Sequence, residues 1–140
     1  MTFLTHEIVL TQFDHTRLQG LVRVLRERSG VNVWNLDALE SGLTRARTVA
    51  PDSIPSDVIT MNSKVTLRDL ATSELISLTL VFPDGCARDQ QRVPVLSPLG
   101  LALLGCRVGD VVEHNKPDGT QKLLVEKLDY QPEARGNFFM

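Results

Sequence analysis

The stretch from Pro94 to Asp110 restricts the possible folds more than any other part of this chain. Ser97 is a suitable N-cap, and Pro98 stands at the first helical position, where its missing N–H costs nothing. Gly105 then ends the helix, because glycine readily takes the left-handed conformation that follows a last turn. The apolar residues recur at i, i+3 and i+4, and we expect them to form the buried face: Leu99, Ala102 and Leu103. A helix of two turns is not stable alone, so this one must pack on a sheet.

The residues on either side of this helix have the pattern of strands. Apolar residues alternate with others from Ile76 to Phe82, which predicts a strand with one buried face. The run K-P-D-G-T at residues 116–120 is typical of a hairpin turn between two further strands. Pro94 limits its own strand to a short one or to the sheet edge. We therefore predict an α+β fold in which one short helix crosses a small antiparallel sheet.

Two helices are predicted before residue 51. The first extends from Phe13 to Ser29, with Thr11 as its N-cap and Asp14 three residues later in an arrangement like a capping box. Its apolar stripe has the spacing i, i+3, i+4 and i+7, and comprises Leu18, Leu21, Val22 and Leu25. The opposite face is rich in arginine, as expected for a helix with one side in water.

The second helix is predicted to begin at Asn35 as N-cap. Trp34 before this residue and Leu39 after it have the spacing of a hydrophobic staple. The apolar residues form a seam at three- and four-residue intervals: Leu36, Leu39, Leu43, Ala46 and Ala50. The short connection makes the two helices an antiparallel hairpin, a short coiled coil. With about 15 residues in each arm and 1.5 Å per residue, the hairpin would project about 22 Å.

The segment from Pro51 to Asp57 is the best candidate for a domain boundary, because prolines lie at its start and within it. The apolar pattern also changes there from a helical to a strand period. We therefore divide the chain into a helical hairpin, residues 1–50, and a sheet domain, residues 51–140.

Composition argues against several classes of function. A net charge of −2 and an aromatic content of 5% disfavour direct DNA binding. No apolar run reaches the roughly 20 residues that span a bilayer, and no signal peptide is recognisable, so we expect a cytoplasmic protein without membrane contact. The two cysteines and three histidines fit no ligand spacing. We therefore expect free thiols, no metal, no cofactor and a monomeric protein.

Three segments are similar to one known family. They are V-I-T-M-N-S-K-V-T-L-R-D-L at residues 58–70, V-L-S-P-L-G-L-A-L-L-G-C-R-V-G-D at 95–110 and L-D-Y-Q-P-E-A at 128–134. In these segments the chain resembles the C-terminal domain of the bacterial GreA/GreB transcript-cleavage factors, and within that family the Rnk branch, the regulators of nucleoside diphosphate kinase. The resemblance covers residues 51–134 well and the hairpin in outline.

The resemblance implies an FKBP-like fold for residues 51–140, a coiled-coil hairpin before it, and binding to RNA polymerase. In the family, the C-terminal domain holds the rim of the polymerase secondary channel while the hairpin enters the channel. The loop leading into the central helix makes the rim contact, and here it corresponds to Leu96, Ser97, Pro98 and Leu99. Helix capping and core packing explain the same residues equally well, and one residue can serve both purposes.

The hairpin tip decides whether such a protein stimulates RNA cleavage. The resemblance implies that two tip acids help to hold a catalytic Mg²⁺, and Asp37 and Glu40 share one helical face. The family's tip motif, with its glycine, asparagine and tyrosine, is absent, and the hairpin is shorter than the family's. Acids near a helix start also favour the positive end of the dipole. We therefore predict a regulator, not an enzyme, that competes with Gre factors without stimulating cleavage; the alternative is a cleavage-stimulating factor that uses Asp37 and Glu40.

Further candidates at the tip and on the channel-facing side are Trp34 and three arginines: Arg23, Arg26 and Arg28. The arginines would meet acidic groups at the channel entrance, although a solvated coiled-coil face explains them more simply. A prolyl isomerase is suggested by fold analogy alone. Since no Gly-rich phosphate loop precedes a helix, we expect any influence on nucleoside diphosphate kinase to be indirect.

Overall fold

The computed structural model describes residues 8–28, 30, 33–83 and 91–136. Three short α-helices and seven strands, with two 3₁₀ turns at Pro51–Ser53 and Glu133–Arg135, form this part of the chain. In chain order the elements are β1 (Val9–Thr11), α1 (Gln12–Arg26), α2 (Val33–Arg45), β2 (Arg47–Val49), β3 (Lys64–Asp69), β4 (Leu75–Val81), β5 (Arg92–Pro94), α3 (Pro98–Leu103), β6 (Val111–Lys116) and β7 (Gly119–Tyr130). The predicted α+β class is confirmed.

The main sheet has the strand order β5-β4-β3-β7-β6. Its pairs are antiparallel except β4 and β5, which run parallel with Val81 opposite Pro94. The sheet is therefore mixed, and not antiparallel throughout as expected. The prediction for Pro94 is confirmed, because β5 is a three-residue edge strand and a proline without an N–H fits only such a position. Two register shifts between β3 and β7 bend the sheet.

The start of α1 follows from its sequence. The Oγ1 atom of Thr11 accepts a hydrogen bond from the N–H of Asp14 at 3.0 Å, so the predicted N-cap is confirmed. The helix begins one residue before Phe13 and ends at Arg26, earlier than predicted. Its buried side chains are Asp14, Leu18, Val22 and Leu25.

The predicted start of α2 is wrong. The helix begins at Val33, so Asn35 lies within its first turn and is not the N-cap. Trp34 is 84% exposed, which contradicts the staple with Leu39, because the earlier start turns the indole away from the core. The first three seam residues are buried as predicted: Leu36, Leu39 and Leu43. The helix ends at Arg45, so the seam does not continue through Ala46 and Ala50.

The chain after α2 forms a strand that the sequence pattern did not reveal. β2 pairs in parallel with β1, with Val9 opposite Arg47, and the N–H of Arg47 donates to the Ile8 carbonyl at 2.9 Å. Three residues are too few to show a strand period. The pairing joins the entrance and the exit of the helical hairpin at its base.

One hydrophobic cluster contains side chains from both predicted domains. Leu18 of α1 and Leu39 of α2 belong to the same cluster as Leu67 of β3 and Leu101 of α3. A second, smaller cluster also crosses residue 51, since it joins Val9 to Val58. The division at residue 51 stays a prediction, and the apolar packing is continuous across it.

The central helix differs from its prediction in the face that it buries. Its fully buried residues are Gly100, Leu101 and Leu103, whereas Leu99 and Ala102 are half-buried at the edge of the core. α3 contacts both α2 and β6. Because two neighbours cover different sides of it, burial does not follow a single stripe.

Candidate functional site

The loop before α3 is held in one shape by the hydroxyl of Ser97. This oxygen accepts the N–H of Gly100 at 3.0 Å and donates to the Pro94 carbonyl at 2.8 Å. The predicted N-cap is therefore confirmed. Leu96 and Leu99 are half-buried against the core, and Pro98 is exposed. Of the four candidates in this loop, Pro98 presents its side chain most fully to a partner.

Gly100 brings the first turn of α3 against the end of β5. A Cβ atom at this position would overlap with the carbonyl oxygen of Pro94. Backbone atoms cannot move aside as a flexible side chain does, so only glycine fits here. The shape of the loop at residues 96–99 thus depends on Gly100 as well as on Ser97.

The hairpin tip lies beside this loop. The side-chain amide of Asn35 donates to the Leu96 carbonyl at 3.2 Å, and α2 contacts α3. Trp34 and Val33 are 84% and 58% exposed at the start of α2. The structure therefore brings the tip candidate Trp34 close in space to the loop candidates, although more than sixty residues separate them in sequence.

The three candidate arginines divide between two sides of α1. The Nη2 atom of Arg26 lies 2.7 Å from Oδ1 of Asp37 and 2.9 Å from Oε1 of Glu40. Arg23 and Arg26 line a groove between α1 and α2, whereas Arg28, just beyond the end of α1, lines a groove against β4. The three thus do not form one positive surface.

Arg26 joins the two acids that the sequence singled out. A single guanidinium nitrogen bridges both carboxylates across the hairpin. The hydrogen bond to Asp37 raises the pKa of Arg26, with a further contribution from Glu40. Both acids remain more than half exposed, at 56% and 57%. Asp37 and Glu40 share one face of α2, as predicted, and Arg26 of α1 lies against that face.

A buried polar cluster, which sequence reasoning missed, connects α1 to the sheet domain. Asp14 is 2% exposed, and its Oδ2 accepts the N–H of Met61 at 3.1 Å. Glu133 is 8% exposed and accepts the Thr60 hydroxyl at 2.7 Å. Burial raises the pKa of Asp14 to about 6, and the charge of Glu133 adds to the rise, while the Met61 hydrogen bond and Arg17 oppose it. The capping-box spacing predicts that the Asp14 carboxylate accepts the backbone N–H of Thr11, whereas in the structure it accepts the N–H of Met61.

The described residues offer no candidate metal site. Across 8–28, 30, 33–83 and 91–136, no three His, Cys, Asp or Glu side chains come close enough to hold an ion.

The buried thiol of Cys106 donates to the Ala102 carbonyl at 3.0 Å, and burial raises its pKa to about 12. Such a thiol is not reactive. Cys86 lies outside the described residues. Of the helices in the described residues, none has the length and the apolar composition needed to cross a bilayer.

Comparisons with known proteins agree with this arrangement. The family model described as "Transcription elongation factor, GreA/GreB, C-term" matches residues 54–130. The Escherichia coli K12 protein named "Regulator of nucleoside diphosphate kinase" is 42% identical over 134 residues, which cover 95% of this chain and 96% of the relative. The transcription elongation factor GreA of Alkaliphilus oremlandii is 33% identical over 93 residues, 66% of this chain and 58% of that protein.

A solved structure supports the same relationship. The prokaryotic transcription elongation factor GreA/GreB from Nitrosomonas europaea superposes with a TM-score of 0.77 at 34% sequence identity. The match covers 89% of this chain and all of that one. Family model, sequence relatives and fold coincide on the segment that contains the Ser97 loop and α3. The chain belongs to the GreA/GreB family of transcription elongation factors.

Proposed function

We propose that this protein binds RNA polymerase at the rim of its secondary channel and regulates transcription by occupying that site in competition with Gre factors. The loop of Leu96, Ser97, Pro98 and Leu99 makes the contact. Its shape is fixed by the two hydrogen bonds of Ser97 and by the close approach of Gly100. A preorganised loop binds without a large ordering cost.

The observation that carries the non-cleaving mode of action is the pairing of the tip acids. Asp37 and Glu40 both bind Arg26, so one of their two negative charges is balanced within the hairpin and both carboxylates have a partner there. An α1 of 15 residues also extends only about 22 Å. A catalytic group misplaced by about 1 Å already loses about a hundredfold in rate. We infer that the hairpin does not deliver carboxylates to the polymerase active centre.

Binding is tested with purified core polymerase and the wild-type chain at moderate salt. Pro98→Glu places an acid in the first turn of α3, where the helix dipole tolerates it, and should weaken binding at least about tenfold if the loop lies in a tightly packed contact. Pro117→Glu is the matched control, because it makes the same change at an exposed position in the turn between β6 and β7. An unaltered affinity for the Pro98 variant would remove this loop from the interface.

Cleavage is tested separately with backtracked elongation complexes and Mg²⁺. The proposal expects no shortening of the RNA and a loss of Gre-stimulated shortening as this protein is added. RNA shortening that disappears in Asp37→Ala/Glu40→Ala would instead make the chain a cleavage-stimulating factor.

The E. coli relative is named for an effect on nucleoside diphosphate kinase, and we propose that any such effect of this chain acts through transcription. An assay of purified kinase with and without this protein tests it. A direct change in kinase rate would overturn the indirect route.

A further inference from the structure

A groove of about 650 Å³ lies between α1 and the end of β4. One side contains Arg17, Gly20 and Val24 of α1 together with Arg28, which lies just beyond the end of the helix at Arg26, and Phe82 stands on the opposite side. The three helical residues follow at intervals of three and four, so they form one stripe on α1. Seven residues at 1.5 Å each make this stripe about 10 Å long, or two turns.

The floor of the groove is apolar and open to solvent. Val24 is 50% exposed, although it lines the same groove as Phe82. Covering this half-exposed valine with a partner is favourable, because apolar surface is then removed from water.

Gly20 gives a second and independent indication of a partner. A glycine within a helix is less favourable than an alanine. None of the described residues requires it sterically, because a Cβ atom at Gly20 would meet none of their heavy atoms within 4 Å. Gly100, by contrast, is demanded by the Pro94 carbonyl. The missing side chain at Gly20 leaves room for another molecule to approach the helix backbone.

Both ends of the groove are positively charged. The guanidinium of Arg17 lies 4.0 Å from the Phe82 ring centroid and 4.9 Å from that of Phe13, so two rings fix its position. Arg28 is exposed at the other end, just beyond α1. None of the described residues that line the groove is acidic. An apolar cleft along two helical turns, with a cation at each end, complements an amphipathic helix that carries carboxylates.

We propose that this groove binds an acidic amphipathic helix of RNA polymerase, as a second contact beside the Ser97 loop. The inference rests on the proposed function. The two surfaces are close, because the Val95 N–H donates to the Val81 carbonyl at 2.9 Å, and Phe82 and Leu96 are the next residues of the two segments. One partner therefore meets both the groove and the loop.

Two matched pairs of variants test the groove by titration against core polymerase. Gly20→Leu fills the cleft with a better helix former, and Thr16→Leu adds the same side chain at an exposed position outside the groove. Arg28→Glu reverses a groove charge, and Lys64→Glu makes a comparable reversal at an exposed position of β3 outside the groove. We expect the groove variants to lose affinity about tenfold, as for residues central to an interface, and the controls to stay near wild type. Thermal unfolding should show Gly20→Leu at least as stable as wild type, so that lost binding is not lost folding.

The outcomes separate the two proposals. If the wild type fails to bind polymerase, both are overturned. If Pro98→Glu weakens binding while Gly20→Leu and Arg28→Glu bind like the wild type, only the groove is overturned. An equal loss in Lys64→Glu would also overturn it, because nonspecific charge would then explain the effect. Sedimentation is the last check: self-association of the wild type that Gly20→Leu abolishes would make a second copy the occupant and overturn the proposal.

Discussion

The side-chain amide of Asn35, at the hairpin tip, donates a hydrogen bond of 3.2 Å to the carbonyl oxygen of Leu96, in the loop before α3. A tip that projected freely would make no such contact. The bond places Trp34 next to the loop that carries Pro98. The two regions that the sequence identified separately are therefore neighbours on one side of the molecule.

Asn35→Asp should weaken this link. The carboxylate has no N–H to donate, and its oxygens repel the Leu96 carbonyl, so we expect a loss of about 1–2 kcal/mol in the free energy of unfolding. Urea denaturation at pH 7 measures it. Asn115→Asp is the control, because Asn115 uses its oxygen to accept the Thr120 hydroxyl and an aspartate retains that bond. Equal effects of the two changes would contradict the role of the Asn35 amide.

Gly20 of α1 and Gly100 of α3 should respond in opposite directions to replacement by alanine. Gly100→Ala forces a Cβ atom into the Pro94 carbonyl, and we expect destabilisation by about 1–3 kcal/mol, as for other overpacked sites. Gly20→Ala meets open space and should stabilise the chain by about 0.5–1 kcal/mol through helix propensity. Thermal unfolding of both variants checks the pair, and a stabilising Gly100→Ala would contradict the close approach.

The ion pairs of Arg26 should be sensitive to salt. Arg26→Met removes the cation between Asp37 and Glu40, so the variant should unfold slightly more easily than the wild type in dilute buffer. The pairs are exposed, and the screening length falls to about 3 Å at 1 M salt, so the difference should disappear there. Urea denaturation at both salt concentrations measures this. A difference that persists at 1 M salt would indicate a packing role for the Arg26 side chain instead.

Asp14 should make stability depend on pH. Its folded pKa, about 6, lies above the ordinary value of 3.8, so the folded state binds the proton more tightly than the unfolded state. The contribution of this group to stability therefore falls as pH rises from about 4 to about 6 and stays low above that. Asp14→Asn removes the titration. Its free energy of unfolding, relative to wild type, should rise by about 2 kcal/mol between pH 4.5 and 7.5.

Urea denaturation of both proteins at the two pH values tests this prediction. Asp118→Asn is the control, because Asp118 is exposed and the same replacement there should leave the pH dependence unchanged. Parallel pH profiles for wild type and Asp14→Asn would show that Asp14 titrates normally.

Local signals predicted the parts of the fold that local interactions determine. Thr11 and Ser97 cap their helices because a hydroxyl before a first turn satisfies a nearby N–H. The missing N–H of Pro94 predicts a short or edge strand, and β5 is such a strand. Only the family resemblance indicates a partner contact for the loop at residues 96–99. The residue pattern itself predicts helix capping and core packing there.

The remaining features depend on contacts between distant residues. The residue type of Asn35 predicts an N-cap, whereas its side-chain amide donates to Leu96. Arg26 and the acids of α2 become partners only when the two helices fold together. The sequence pattern places Arg17 on the arginine-rich face of the first helix and Phe82 at the end of a strand. No spacing along the chain indicates that they stack.

The parallel pairing of β1 with β2 affects how the helical hairpin of this chain can be lengthened. The strand pairing joins both ends of the hairpin at its base, while the Asn35 hydrogen bond and the packed helix side chains attach it further out. Whole turns added in equal number to both helices at the far end, between Arg26 and Val33, would lengthen the hairpin and leave these contacts in place. The length of the hairpin and its attachment to the sheet can therefore change independently, and an insertion at the turn between the two helices is enough to change the first without the second.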